Sequence, residues 1–373
     1  MNFKIAKKVI NQGLITVSRA ISANTPLPSL SGIKIDCART TLILTASNSD
    51  ISIQTVIEKN DAEYVFDIKE EGSIVIEAKY IVEVVRKIDS DVIDFMIIDG
   101  SLIKISGDST EYKINGIKVE DYPNIDFSKP VQNFKIDANI IRNVISQTTF
   151  ATSDKETRPL LTGVNFAAGD GVMECVATDS FRLAKKAIKI SAPYTFNITV
   201  PGKSLNEVEK IIDRDGEIEI AVSEKKIQFY IGSTLIQTRL IDGKYPDTSR
   251  LIPEEFSSKL IVDAHDMLSA IDRASFIKND GIPIVKLDLS VEEVVVSSRS
   301  QEVGSSTERL IYEQYQGDPL TISFCGKYVY DAIRFLSTSQ ISVEFTTEMK
   351  PFVIKNLEDD SIIQLILPVR TGS

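Results

Sequence analysis

The residues best suited to chemistry recur at the same spacing in three segments of the chain. Each segment has a base, an acid four residues later and a base seven residues after the first. The sets are Lys79, Glu83 and Arg86; Lys203, Glu207 and Lys210; and Lys327, Asp331 and Arg334. On an α-helix these three positions share one face. The spacing therefore predicts three helices that turn the same charged, mainly basic face toward solvent or a partner.

This repeated face has an ordinary explanation as well as a functional one. A single triad is usually a solvated helix surface whose ion pairs are worth roughly a few tenths of a kcal/mol. Its acidic member also cancels part of the positive charge. Three copies in register favour a shared role, although common descent alone can preserve a pattern. Further bases in helical regions add to these faces, namely Lys7, Lys8, Arg19, Arg142 and Arg273.

Residues arranged for catalysis or cofactor binding are not found in the sequence. Gly202-Lys203-Ser204 opens a helix after a strand-like segment, but a phosphate-binding loop needs an earlier glycine where Asn197 stands. The one histidine, His265, falls at a predicted helix start and is expected to face solvent. No cysteines, histidines or carboxylates have convincing metal-site spacing. We therefore expect a non-catalytic protein without cofactor or metal. A repeat-built enzyme with a site between domains is an alternative.

The elements that position the charged faces follow from the apolar pattern. In each charged helix the apolar residues lie opposite the charges. They are Ile81, Val84 and Ile88; Leu205, Val208 and Ile212; and Val329, Ala332 and Leu336. Alternating apolar residues predict short strands between the helices, and Asp99-Gly100 between two apolar runs predicts a hairpin. The pattern favours an α+β fold, with two helices in each third gathered on one face of antiparallel sheets.

The repeat extends over the whole chain. Asn2-Phe3-Lys4-Ile5 and Asn133-Phe134-Lys135-Ile136 each precede a helical pattern, and Ile261-Val262 opens a third copy. Tyr122-Pro123 and Tyr245-Pro246 each introduce a proline-containing stretch that is typical of a linker. We therefore predict three similar domains, each long enough to bury its own core. Their predicted bounds are residues 1–125, 126–253 and 254–373.

Composition limits the class of protein further. Hydrophobic residues make up 43% of the chain, and no apolar run approaches the ~18–20 residues of a membrane span. The start of the chain lacks the apolar core of a signal peptide, and three distant cysteines favour reduced thiols in a cytoplasm. A net charge of −11 argues against a protein that grips nucleic acid with its whole surface. A local basic face remains compatible with it because charge is screened over ~8 Å.

Several segments together resemble the bacterial β sliding clamp family, the processivity subunit of the replicative DNA polymerase. The resemblance covers essentially the whole chain. It is densest at residues 151–153, 156–166 (ETRPLLTGVNF), 177–184 (ATDSFRLA), 242–247 (DGKYPD) and 364–370 (QLILPVR). It implies the DNA clamp fold, in which three domains form half of a ring and helices backed by antiparallel sheets line the hole. It also implies a homodimer that encircles duplex DNA without reading its sequence.

The resemblance and the repeat together indicate which bases face DNA. These are Lys79, Arg86, Lys203, Lys210, Lys327, Arg334 and Arg142. Weakly basic helices of this kind interact with phosphates without reading bases, which permits sliding. The family often has arginine in an inner loop where this chain has Asn24.

The resemblance also implies a pocket for short peptides between the middle and last domains. Its residues are Leu161, Thr178, Phe181, Arg182, Leu183, Pro246, Arg250, Leu251, Tyr328, Met349, Leu365, Leu367, Pro368, Val369 and Arg370. The implied partners are the replicative polymerase subunit, an ATP-using clamp loader and other proteins with the same motif. Many members have Gly-His where this chain has Ser180-Phe181, which predicts a more apolar rim. Leu365 and Leu367 could instead be plain strand core.

The implied dimer contact pairs the first domain of one chain with the last domain of another. By position it involves Tyr112 and Ile114 against Phe276 and Ile277, whose alternative role is ordinary core within one chain. A ring that recruits peptides without binding DNA is the alternative function.

Overall fold

The fold is described from a computed structural model, which describes residues 1–22, 25, 27–60, 62–191, 193–213 and 215–370. Asn24 lies outside these residues. The helices are α1 Lys7–Ser18, α2 Ala78–Lys87, α3 Ala138–Thr149, α4 Gly202–Ile211, α5 Ala264–Ser275 and α6 Gly326–Leu336. The strands are β1 Asn2–Ala6, β2 Gly32–Cys37, β3 Thr41–Ser47, β4 Ile51–Glu58, β5 Phe66–Glu70, β6 Gly72–Glu77, β7 Val92–Asp99, β8 Leu102–Ser106, β9 Glu111–Asn115, β10 Gln132–Asp137, β11 Gly163–Gly169, β12 Val172–Thr178, β13 Arg182–Lys189, β14 Phe196–Pro201, β15 Glu217–Val222, β16 Lys226–Ile231, β17 Thr234–Arg239, β18 Ser258–Asp263, β19 Ile284–Leu289, β20 Val294–Ser300, β21 Gly304–Arg309, β22 Gln314–Gln316, β23 Leu320–Cys325, β24 Gln340–Phe345, β25 Phe352–Asn356 and β26 Ile362–Ile366.

The chain packs as two compact units. The first unit contains Met1–Ala138 and Glu207–Leu240. One of its sheets has the order β5-β1-β7-β8-β9, and the other has the order β10-β15-β16-β17-β4-β3-β2-β6. All pairings are antiparallel, and β17 of the middle third lies beside β4 of the first third. The first unit therefore carries a sheet shared between two repeats.

The second unit is built in the same way. It contains Asn139–Asn206 and Ile241–Ser373. Its larger sheet has the order β14-β11-β12-β13-β26-β25-β24-β18-β22, and its smaller sheet has the order β21-β20-β19-β23. Here β26 of the last third pairs with β13 of the middle third. The main core of this unit lies between these sheets and the buried faces of α5 and α6, with Met267, Ile271, Val329 and Leu336 among its members.

The three charged helices have the predicted bounds to within about a residue. All nine apolar residues of the predicted stripes are buried, with exposed fractions between 0 and 8%. Helix α2 ends at Lys87, where Ile88 leaves the helical conformation, and α6 ends before Ser337, whose φ of 53° is left-handed. The predicted α+β class with two helices in each third is confirmed.

The hairpin at Asp99-Gly100 is also confirmed. Strands β7 and β8 pair across it, and Gly100 has a φ of 50°, which a residue without a Cβ adopts at little cost. No helix among the described residues is long and apolar enough to cross a membrane.

The buried stripe of α2 yields the first prediction. Replacing Ile81, which is fully buried, by alanine should cost about 2–5 kcal/mol because a cavity remains in the core. Val82→Ala on the same helix is the matched control, since Val82 is only partly buried. The midpoint of thermal unfolding measures both variants. Equal midpoints for the two would contradict the assigned orientation of α2.

Candidate functional site

The bases of the repeated helix faces are at the surface. Lys79, Lys203 and Lys327 are all exposed, and so are the bases seven residues further on. Since the opposite side of each helix is buried, the predicted division into an apolar and a charged face is confirmed for every copy. The faces can therefore meet a partner without any change in the core.

Acids of the same faces hold several of these bases. The hydrogen bond from Arg86 lowers the pKa of Glu83, so this carboxylate stays charged well below neutral pH. The closest nitrogen–oxygen distances are 2.8 Å for Arg86–Glu83, 2.7 Å for Lys210–Glu207, 2.7 Å for Lys327–Asp331 and 2.6 Å for Lys79–Glu77. These exposed pairs contribute little stability. They do reduce the net positive charge of the faces.

Two bases of the set differ from the rest. Lys203 and Arg334 have no acidic partner within 4 Å in the part of the chain that the structure describes, although Arg334 lies 5.6 Å from the centre of the Phe335 ring. Arg142 is half-buried and donates to the amide oxygen of Asn139 at 2.7 Å. Lys203 and Arg334 are therefore the bases most available to an external phosphate.

A second candidate site lies in the second unit, where four predicted pocket leucines come together. Leu161, Leu183 and Leu365 form one buried cluster, and Leu367 packs against it from the edge. The first three have exposed fractions of 6, 2 and 0%, so they lie below the surface, beneath the predicted pocket. Thr178 and Arg182 are buried as well. Leu365 is therefore buried, as the alternative of plain strand core predicts. A peptide pocket above it remains a prediction.

A tight turn between β12 and β13 shapes one side of this pocket. The carboxylate of Asp179 accepts the backbone N–H groups of Phe181 and Arg182 at 2.9 and 3.0 Å. The Thr178 hydroxyl donates to the Arg182 carbonyl at 2.6 Å. Ser180 has a φ of 79°, which explains why glycine suits this position. The turn directs Phe181 outward, where 56% of it is exposed.

Arg182 occupies the centre of a buried polar network beside the turn. Its guanidinium donates to Asp179 at 3.0 Å and to Asp331 at 2.7 Å. It also lies 4.6 Å from the centre of the Tyr328 ring and 5.3 Å from that of Phe150. Because Asp331 also binds Lys327 of the charged face, one carboxylate links the pocket to α6. The role of Arg182 is to hold the turn and α6 together.

The rim of the pocket is aromatic and apolar. The rings of Phe181 and Tyr328 stack with centres 6.4 Å apart, and a place for Tyr328 at the edge of the pocket remains a prediction. The backbone N–H of Leu367 donates to the Phe181 carbonyl at 2.9 Å, and that of Val369 to the Ser323 carbonyl at 2.7 Å. These two bonds fix residues 367–369 beside the turn. Pro368 and Val369 are half-buried there.

The other predicted pocket residues are all at the surface. Leu251 and Met349 are each 47% exposed. Pro246, Arg250 and Arg370 are exposed too. None of these five belongs to the buried cluster beneath the pocket. They remain predicted parts of the rim.

Sequence reasoning missed Tyr245, which supports the pocket from below. Its hydroxyl accepts the Thr178 N–H at 3.1 Å, and burial raises its pKa to about 12. In the sequence, Tyr245-Pro246 predicts a linker and does not by itself show that the tyrosine is buried. The repetition of the pair at Tyr122 could have indicated a buried role.

The residues predicted for the dimer contact fall into two groups. Tyr112 and Ile114 are half-buried on β9, which is the outer strand of its sheet. Phe276 follows α5 and is 81% exposed, whereas Ile277 is already buried at 7% within one chain. Among these four residues, Phe276 offers the largest free apolar surface.

Other groups with chemical potential have local explanations. His265 is 88% exposed and lies near Asp263 and Asp266, with possible ligand atoms within 4.8 Å of one another. The Asp263 carboxylate, however, caps α5 by accepting the N–H groups of His265 and Asp266. All three cysteines are buried, and burial raises the pKa of Cys37 to about 11, which disfavours a reactive thiolate.

Models of one protein family match almost the entire chain. The N-terminal domain of the DNA polymerase III beta subunit matches residues 1–126, its central domain residues 135–247 and its C-terminal domain residues 249–370. The β sliding clamp of Bacillus subtilis (strain 168) is 37% identical over 377 residues, with 100% of both chains covered. That of Staphylococcus epidermidis (strain RP62A) is 36% identical over 375 residues at the same coverage.

Solved structures agree with this match. The crystal structure of the DNA polymerase sliding clamp from Bacillus subtilis has a TM-score of 0.95, 36% identity and full coverage of both chains. A sliding clamp from Bartonella birtlesii bound to griselimycin has a TM-score of 0.92, 27% identity and full coverage. The resemblance found in the sequence is therefore confirmed, and the chain belongs to the β sliding clamp family, the non-catalytic processivity subunit of DNA polymerase III.

Proposed function

We propose that two copies of this chain join head to tail into a ring around duplex DNA and tether the replicative polymerase through the pocket described above. The observation that carries the proposal is the threefold recurrence of a helix with a buried apolar stripe and an exposed basic face. An ATP-using clamp loader would open the ring, and other proteins with the same motif would share the pocket in the cytoplasm. The three domains of this proposal are residues 1–125, 126–253 and 254–373.

The mechanism on DNA is topological. A closed ring does not need tight binding, because it only has to remain linked to the duplex. Exposed bases that are partly neutralised by their own acids give weak contacts with phosphates, and such contacts read no bases. A net charge of −11 disfavours binding of DNA elsewhere on the surface. Weak contacts that move easily from phosphate to phosphate suit a clamp that slides.

Encirclement of DNA can be tested by opening the DNA circle. After loading by a clamp loader and ATP on nicked circular DNA, the protein should be retained, and linearising the circle should release it. Lys203→Glu with Arg334→Glu should reduce retention on the circle, because these two bases lack acidic partners among the described residues. Retention is measured by gel filtration of protein with DNA over a series of salt concentrations.

Lys118→Glu with Lys189→Glu is the matched control, since it makes the same change in charge at exposed lysines outside the repeated faces. Equal retention of both double variants would remove Lys203 and Arg334 from the DNA contact. Retention on linear DNA would exclude encirclement. Peptide binding without any retention on DNA would favour the alternative of a scaffold that recruits partners.

The pocket of the second unit suits peptides with aliphatic anchors. Its floor of three leucines excludes water, its rim is aromatic, and exposed arginines are predicted nearby for a polar end of the peptide. A ligand-bound relative, the griselimycin complex of the Bartonella clamp, supports a binding role for this fold. Phe181 in place of the histidine common in the family gives a rim that we expect to favour apolar peptide residues.

The second prediction concerns Leu367. Leu367→Ala should weaken an uncharged peptide with two leucines by about tenfold or more, equal to ~1.4 kcal/mol, because it removes apolar contact at the edge of the floor. Leu357→Ala is the control, because Leu357 is a 39% exposed leucine outside the pocket cluster. Fluorescence anisotropy of the labelled peptide gives both dissociation constants. Unchanged affinity in Leu367→Ala would exclude this residue from the site.

The proposed dimer seam would use the outer strands of the two smaller sheets. Strand β9 ends the smaller sheet of the first unit, and β21 ends the smaller sheet of the second. Pairing of β9 from one chain with the last domain of another would satisfy exposed backbone groups. Tyr112 and Ile114 would face the exposed ring of Phe276 in this arrangement.

The third prediction concerns Phe276. Phe276→Asp should convert the dimer to a monomer, because a charge would be buried without a partner at the seam. Val131→Asp is the control at an 88% exposed position. Ile277→Asp is unsuitable because Ile277 is buried within the chain. Light scattering gives the solution mass, and a Phe276→Asp variant that stays dimeric would contradict the seam.

A further inference from the structure

The first unit contains a turn that reproduces the turn of the peptide pocket. Residues 47–51 (SNSDI) correspond to residues 178–182 (TDSFR), and the same hydrogen bonds hold both. In the first, the Asn48 side chain accepts the N–H groups of Asp50 and Ile51, each at 3.1 Å. The Ser47 hydroxyl donates to the Ile51 carbonyl and accepts the N–H of Ser49. Ser49 has a φ of 81°, close to the 79° of its counterpart.

The surroundings of the two turns also correspond. A short 3-10 helix at Pro28–Ser31 matches the one at Pro159–Thr162, and each contributes a buried leucine next to a buried tyrosine. The backbone N–H of Arg239 donates to the Asp50 carbonyl at 2.9 Å. In the same way, the backbone N–H of Leu367 donates to the Phe181 carbonyl. Pairing of Ser52 with Gln237 matches the pairing of Leu183 with Leu365. The backbone around residues 47–51 therefore has the same arrangement as the backbone around residues 178–182.

A cavity of about 470 Å³ lies beside the turn at residues 47–51, and its lining side chains differ from those of the proposed peptide pocket. The register places Asp50 where the other site has Phe181, and Arg239 where it has Leu367. Gln237 and Ser52 replace the paired leucines of the floor. Leu27, Leu30 and Ile125 also line the cavity, so its lining combines apolar side chains with charged ones.

The charges of this cavity select an anion. Lys225 and Arg239 line it and are exposed, and neither has an acidic partner within 4 Å among the residues that the structure describes. Lys226 is held by Asp126 at 3.4 Å and by its carbonyl. Asp50 is the single opposing charge at the turn. With Asp126 included, the lining carries three bases and two acids, so its formal net charge is +1.

We infer that this cavity, the acidic-peptide pocket, binds a segment of a partner protein that carries Asp or Glu side chains. Carboxylates of the segment would pair with Arg239 and Lys225, and an arginine can bind a carboxylate through two parallel hydrogen bonds. The inference rests on the proposed function only in taking the matching pocket at Leu367 as a peptide site. One chain would thus hold two partner segments of different chemistry.

The test uses the full chain and two labelled nonapeptides, one alternating Glu with Ser and one alternating Gln with Ser. The acidic peptide should bind more tightly, and Arg239→Gln with Lys225→Gln should weaken it roughly tenfold. Asp50→Asn should strengthen it about twofold because it removes the opposing charge. Arg250→Gln, an exposed arginine at the other pocket, and Leu367→Ala should leave it unchanged. Anisotropy at two salt concentrations gives the affinities.

Equal binding of the two peptides, or unchanged binding in the Arg239 and Lys225 variant, would overturn the inference. Loss of the acidic peptide in Leu367→Ala would do the same, since it would place this peptide in the other pocket. A short DNA duplex that binds more tightly than the peptide and needs Arg239 would assign the cavity to nucleic acid instead. The uncharged leucine peptide separates the two proposals, because its loss in Leu367→Ala tests the proposed function alone.

Discussion

Antiparallel pairing between strands of successive repeats is the interaction on which the rest of this structure depends. Strand β4 pairs with β17 in the first unit, and β13 pairs with β26 in the second. Each pairing covers two strand edges that would otherwise expose backbone groups. Each also places the turn that precedes one strand beside the residues that follow the other. The way the repeats join therefore produces the same local backbone arrangement at both joins.

Because the backbone of the join is repeated, the two joins differ mainly in their side chains. At one join the register brings Leu183 beside Leu365, and the floor becomes apolar. At the other join the same register brings Ser52 beside Gln237. Duplication thus supplies two equal frames, and substitution at a few positions gives them different chemistry. Arg182 adds rigidity at the apolar join, since its two carboxylate partners and two aromatic neighbours are all buried or half-buried.

Charge is organised locally in this acidic chain. The repeated helices turn their bases outward, yet their own acids hold three of the six bases within 3 Å. A protein that must remain linked to DNA while moving along it benefits from contacts that are individually weak, since tight ones would slow sliding. Lys203 and Arg334 have no acidic partner within 4 Å among the described residues, so in the proposed function they would be the bases most available to phosphates.

The sequence by itself determined the helices, the threefold repeat and the charged faces. These follow from local periodicity, because a helix with apolar residues on one side must bury that side, as Val208 and Val329 do. It also identified the family, since long motifs such as residues 156–166 are specific. Tertiary structure alone decided which of the predicted pocket residues are buried and which are exposed. Leu365 and Leu367 are two residues apart, and only strand pairing shows that one is buried and the other lies at the edge. The ion pair of Arg182 with Asp331 and the matching cavity at Arg239 join segments far apart in the chain. Such contacts depend on strand register, which a periodic pattern in one segment does not contain.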